Sequence, residues 1–191
     1  MHQKSRKLCN KVPKQSTYDI RAIAHQVRDQ LVHHKRFGKI VLPIAELLDF
    51  LRDKGEIEFI LVEDHELKSE YAVSLPNGDH TTTKPIIKCR QSVYHAALDG
   101  SPRDKFTLAH ELGHVLLHRN TNPAFARAQT PSNHHYTEDA EWQANTFASE
   151  FLVDSRQLEG VNSPRDIEQK FGISFESAGY VYSRYRKEGL L

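Results

Sequence analysis

The run Phe106-Thr107-Leu108-Ala109-His110-Glu111-Leu112-Gly113-His114-Val115-Leu116-Leu117 constrains this chain more than any other stretch. It is largely apolar and free of proline, so it should form a helix that the rest of the fold buries. Positions four apart share a helix face, which stacks the imidazoles of His110 and His114 one turn from each other. Two imidazoles so placed can reach one metal ion, while Glu111, one residue on, can touch water at the ion's open position. That arrangement suits zinc-dependent hydrolysis of an amide bond. The chain holds 12 histidines, so the pentad alone also fits an ordinary amphipathic helix with half-exposed imidazoles.

A third ligand is therefore needed, because hydrolytic zinc takes three protein ligands and keeps one position open. A metzincin extension would need Gly at 117 and His at 120; the chain has Leu117 and Asn120, which excludes it. A glutamate on a later helix is the other common solution, and residues 136–152 supply such a helix. Thr137 is its expected N-cap, with Glu138 and Asp139 in the first turn, where acids favour the dipole. Glu141 has Ala144, Asn145 and Ala148 as helical neighbours, small residues that permit close approach of another helix. A carboxylate on such a face is costly unless it is paired or bound to metal. Glu141 is the favoured third ligand, with Glu138, His134 and His135 as alternatives. Asn145, one turn on, can orient a ligand or simply be a buried amide bonded to backbone. His118, one turn beyond His114, reads as a packing or C-terminal dipole residue.

Together, the stretches 103–114, Leu117-His118 and 141–148 resemble the ImmA/IrrE family of metallopeptidases. The resemblance covers residues 40 to 155 well. It extends more weakly to Phe171-Gly172-Ile173-Ser174 and Ala178. It implies a zincin-like core, Zn2+ bound by His110, His114 and Glu141, and Glu111 as catalytic base. It also implies a cytoplasmic regulatory protein as substrate, a helix-turn-helix transcriptional repressor. The stress-response relatives carry a further C-terminal sensory domain; none is expected after Leu191, and in length the 191 residues are similar to the short members.

At 191 residues the chain is long enough to bury a core, and one main domain is expected. A formal net charge of +1 gives no global field toward nucleic acid or membrane. No apolar run of about 18 residues is present, so no transmembrane helix is expected. Residues 1–17 carry Lys4, Arg6, Lys7, Lys11 and Lys14 without a following apolar core, which reads as a basic flexible tail and not a secretory signal. Cys9 and Cys89 stand far apart, which suits a reducing cytoplasm and makes neither a zinc ligand.

The peptidase domain is expected over 18–160 and a helical segment over 161–191. Ile20, Ile23, Ala24, Val27 and Leu31 predict an amphipathic helix over 19–32, stopped by His33 to Gly38. Pro43 opens a second helix through Leu51. Strands are predicted over 57–62, 71–75 and, in two parts, 86–97, with Pro76-Asn77-Gly78-Asp79 as a turn. A small antiparallel sheet packed on several helices follows, an α+β fold. Ser92 to Ala97 is the expected edge on which a peptide substrate adds as a strand. The polar loop from Arg119 to Tyr136, with Pro123 and Pro131, could cover the cleft, and His134, His135 or Tyr136 could stabilise an oxyanion.

Ser163 and Pro164 start one tail helix, Gly172 ends it, and Ser174 caps another. This pair resembles a helix-turn-helix, with Arg184, Arg186 and Lys187 on its second helix. Two functional alternatives therefore remain beside the peptidase. One is a non-catalytic zinc-containing anti-repressor or toxin-antitoxin-type binding protein, and the other is a DNA-binding regulator. The sequence fixes no oligomeric state.

Overall fold

The computed structural model describes residues 10–33, 40–67, 70–119 and 134–191. The basic stretch through Cys9, the helix stop from His34 to Gly38 and the loop residues 120–133, including Pro123 and Pro131, lie outside the described residues. Seven α-helices and three strands form among the described residues: α1 Thr17–His33, α2 Ile44–Asp53, β1 Glu58–Val62, β2 Ala72–Leu75, β3 Ile86–Arg90, α3 Gln91–Leu98, α4 Pro102–His118, α5 Ala140–Leu152, α6 Pro164–Phe171 and α7 Phe175–Glu188. This is the α+β class expected. No described helix is long and apolar enough to cross a membrane.

The sheet is mixed, which corrects the antiparallel expectation. Its order is β1-β3-β2, with β3 parallel to β1 and antiparallel to β2. Alternation predicts a strand but not its neighbours, and here the β2–β3 hairpin inserts its second strand between β2 and β1. Gly78 holds the turn after β2 at φ +72°, and any Cβ there would collide with the Thr82 carbonyl.

A second correction concerns Ser92 to Ala97, which is helix α3 and not an edge strand. Val93 and Ala97 are its buried residues, four apart, so a helical stripe and not alternation was the true pattern there. The strand-addition reading at that segment is overturned. β2 is instead the sheet edge beside α4. Arg90 N–H donates to Tyr71 O at 3.1 Å. In an antiparallel ladder that turns the backbone groups of Tyr71, Val73 and Leu75 to β3 and those of Ala72 and Ser74 outward.

Helix α4 begins as its sequence dictates: Ser101 caps it, Pro102 sits in its first turn and Asp104 faces the dipole. Leu108, Ala109, Leu112 and Val115 are buried in the core that also holds Phe147, Ala148 and Phe151 of α5. The start of α5 differs from expectation. Tyr136–Glu138 form a 3-10 turn, and Asp139, not Thr137, is the N-cap, accepting from Trp142 N–H at 2.8 Å.

Residues 10–16, read in the sequence as part of a basic tail, are docked along that turn. Val12 N–H donates to Glu138 O at 2.8 Å, Gln15 N–H to Thr137 O at 3.0 Å, and Ala140 N–H to Asn10 O at 2.9 Å. The tail helices are packed too: Ile167, Phe171, Ile173, Ala178, Val181 and Tyr185 belong to the main core. Glu150 of α5, fully buried, accepts from Tyr185 Oη at 2.9 Å and pairs with Arg184 at 2.7 Å and Arg21 of α1 at 2.7 Å. Arg184 is thus committed to an internal ion pair.

Candidate metal centre

Helices α4 and α5 pack tightly at Gly113. A Cβ added there would lie 3.0 Å from Phe147 Cδ1 and 3.2 Å from Ala144 O. The small residues that the sequence placed on this face of α5 therefore do what their size allows. They bring Glu141, at the start of α5, over the two histidines of α4.

His110 Nε2 lies 3.2 Å from Glu141 Oε2, and His114 Nε2 lies 3.3 Å from Glu141 Oε1. The two Nε2 atoms are 3.0 Å apart. Among the described residues these three side chains form the one cluster of His, Cys, Asp or Glu donors able to hold a metal ion. A tetrahedral ion with bonds of roughly 2.0–2.1 Å needs neighbouring donors about 3.3 Å apart. The triangle has that size, and two imidazoles with one carboxylate suit zinc. The residues fit the ion.

Hydrogen bonds outside the triangle aim the rings. His110 Nδ1 lies 3.1 Å from Asn145 Oδ1. The amide oxygen only accepts, so Nδ1 carries a proton, and Nε2 is the nitrogen that would give up its own to present a lone pair to an ion. The orienting role considered for Asn145 is what its contact provides. Burial pulls His110 toward the neutral form, but hydrogen bonding to Glu141 and the nearby Glu111 charge outweigh it and raise its pKa. Hydrogen bonds from His110 and His114 hold the Glu141 carboxyl well below the usual carboxylate range.

His118 does more than pack. It is buried at 4% exposure, with Nδ1 3.0 Å from His114 Nδ1 and Nε2 3.1 Å from Gln143 Oε1. Burial, with the neighbouring His114 charge, pushes its pKa down to about 4. Gln143 was not singled out by the sequence. It lies off the Glu141–Asn145 stripe, and a lone glutamine carries no periodic signal.

The other candidates point elsewhere. His135 caps the 3-10 turn, with Nδ1 2.7 Å from Thr137 Oγ1. Glu138 accepts from His135 N–H at 3.3 Å and pairs with Lys11 at 3.3 Å. His134 Nε2 faces Asp139 Oδ2 at 3.5 Å. Tyr136 packs edge-on against Trp142. None of the four belongs to the donor cluster.

Glu111 is nearly buried at 8% exposure and lines, with His110, His114 and Glu141, a cleft of about 670 Å³. Residues Ala72 to Gly78 line the same cleft. Residues 73–183 match the peptidase family model described as the IrrE N-terminal-like domain. The chain belongs to the ImmA/IrrE family of metallopeptidases. The match begins within β2 and takes in α6 and most of α7, so the tail helices are part of what the family model describes. No curated protein matches the chain. Membership in this ImmA/IrrE family, with a His-xxx-His pair and a downstream glutamate gathered at one point, is consistent with a zinc metallopeptidase.

Proposed function

We propose that the protein is a zinc-dependent endopeptidase acting on a cytoplasmic regulatory protein, a helix-turn-helix transcriptional repressor. The observation that carries the enzymatic part is the convergence of three correctly spaced donors beside Glu111 in an open cleft. His110, His114 and Glu141 would hold the ion. When bound, zinc supplies a Lewis acid that polarises the scissile carbonyl and acidifies the attacking water.

Glu111 is the base. It takes a proton from the attacking water and delivers it to the leaving amide nitrogen, which lets the peptide bond break without expelling an amide anion. A non-catalytic binding protein would need the ligands but no carboxylate in this place. The outward backbone groups of Ala72 and Ser74 offer a peptide the unpaired edge of β2 along the cleft, which sets the substrate extended across the site. A flexible or unfolded segment of the target meets that requirement. The choice of a repressor rests on what the family resemblance implies.

The test is purified protein incubated with the product of the neighbouring gene, with and without chelator. Cleavage should require metal, and Glu111→Gln should keep its zinc but cut nothing. A Glu111→Gln variant that cuts at the wild-type rate refutes the assignment of the base. Metal-independent cleavage refutes the zinc mechanism.

A further inference from the structure

We infer that His118 and Gln143 are positioning residues for the metal site: they form a relay that fixes the tautomer of His114 and anchors it to the N-terminal segment. The inference rests on the zinc-binding reading and extends it to residues outside the donor triangle.

The relay can be followed from its far end. Gln143 Nε2 lies 2.8 Å from Pro13 O and 2.8 Å from Thr137 O. Both carbonyls only accept, so the amide NH2 must face them and the amide oxygen must face His118. That oxygen in turn only accepts, so His118 Nε2, 3.1 Å away, carries a hydrogen.

From the other end, His114 binds metal through Nε2 only if that atom keeps its lone pair, which puts the hydrogen on Nδ1. Nδ1 lies 3.0 Å from His118 Nδ1. Were His118 also protonated there, two N–H groups would face each other at that distance. His118 Nδ1 must therefore be the bare acceptor, and the donors all run one way, from His114 to His118 to Gln143 to the two carbonyls.

The relay has two consequences. Gln143 is fully buried and held by two carbonyls, so the His114 ring is held against rotation through His118 and Gln143. One of those carbonyls belongs to the docked N-terminal segment. Docking of residues 10–16 is thereby coupled to the orientation of a metal ligand more than a hundred residues away in sequence. Removing a hydrogen-bonding partner of a metal ligand typically weakens metal binding roughly 10–100-fold.

Two measurements test this. In the zinc-loaded wild type, nitrogen-15 NMR of the imidazoles should show His118 with its hydrogen on Nε2 and a bare Nδ1; a hydrogen on His118 Nδ1 overturns the relay. By competition against a chromophoric chelator, His118→Leu and Gln143→Leu should bind zinc about 10–100-fold more weakly than wild type. His118→Asn, which can present an acceptor oxygen near the same place, should recover much of the loss. Leu variants that bind zinc as tightly as wild type overturn the relay and leave the metal site standing. A wild type that binds no zinc overturns both. Where His118→Leu does not fold, the NMR assignment of the wild type decides.

Discussion

Gly113 is where the helix carrying two ligands meets the helix carrying the third, and replacing it with alanine separates two opposing effects. Alanine in place of a mid-helix glycine stabilises a helix by about 0.5–1 kcal/mol. At Gly113 the new Cβ would sit 3.0 Å from Phe147 Cδ1 and 3.2 Å from Ala144 O. Ordinary carbon contacts lie at about 3.5–4.0 Å, so the helices must separate by a few tenths of an ångström. Overpacking of this kind costs about 1–3 kcal/mol. The net is a loss of up to about 2.5 kcal/mol. Gly179 of α7 is the control, because a Cβ there meets nothing within 4 Å.

For a chain of this size each kcal/mol moves Tm by about 2–4 °C, so Gly179→Ala should raise it by about 1–4 °C. Gly113→Ala should melt about 2–12 °C below Gly179→Ala, the difference isolating the steric cost. Separation of α4 from α5 also lengthens the His110–Glu141 and His114–Glu141 edges, now 3.2 and 3.3 Å, while the His110–His114 edge within α4 stays. Zinc affinity should therefore fall in Gly113→Ala and not in Gly179→Ala. Paired thermal melts and chelator titrations measure both. Equal melting temperatures and equal zinc affinities for the two variants would refute the idea that close approach at Gly113 builds the site.

Three further outcomes follow from the same geometry. Ser74→Pro removes an outward N–H from β2 while sparing the pairs made by Val73 and Leu75, so zinc content should hold while peptide cleavage falls; unaltered turnover would place the substrate elsewhere. Glu141→Ala should weaken zinc binding by more than the roughly 10–100-fold expected for a supporting residue, as read by metal stoichiometry after dialysis. Asp154→Asn should lose up to about 3–5 kcal/mol in urea unfolding at neutral pH, because it removes the carboxylate charge that faces Arg28, a buried guanidinium whose Nε lies 3.2 Å from Asp154.

The pH dependence of that last loss has a definite sign. Burial alone would raise the Asp154 pKa, but hydrogen bonds from Arg156 and the charges of Arg28 and Arg156 leave it lowered. A lowered carboxylate contributes stability above its unfolded value, about 3.9, and loses it as pH falls through the folded value below that. The gap between wild-type and Asp154→Asn stabilities should therefore begin to narrow below about pH 4 and close below the folded value. A gap that stays constant to pH 2 would show that the charge of Asp154 is not what stabilises the fold.

Local chemistry made much of this protein legible in its residues. The apolar run around His110 and His114, capped by Ser101 and Pro102, could be little but a buried helix, and the spacing of four placed both rings on one face. Small residues beside Glu141 marked a face for close helix packing, which Gly113 completes. Ser163, Pro164, Gly172 and Ser174 marked both ends of the first tail helix and the start of the second, because capping needs only neighbours.

What the residues left open depended on partners distant in sequence. Val93 and Ala97 fit either a strand or a short helix until the core chose, and alternation in β3 could not say that β1 would lie parallel beside it. Asp139 displaced Thr137 as the cap because residues 10–16 pair with the turn before it. His118 and Gln143 show the limit most clearly. A hydrogen-bond relay has no period, and its last acceptor, the carbonyl of Pro13, comes to α5 only when the chain folds. The sequence by itself determined that two imidazoles share one helix face and offered a short set of third donors; the tertiary structure decided which donor joins them and which way the rings face, because both depend on partners far away along the chain.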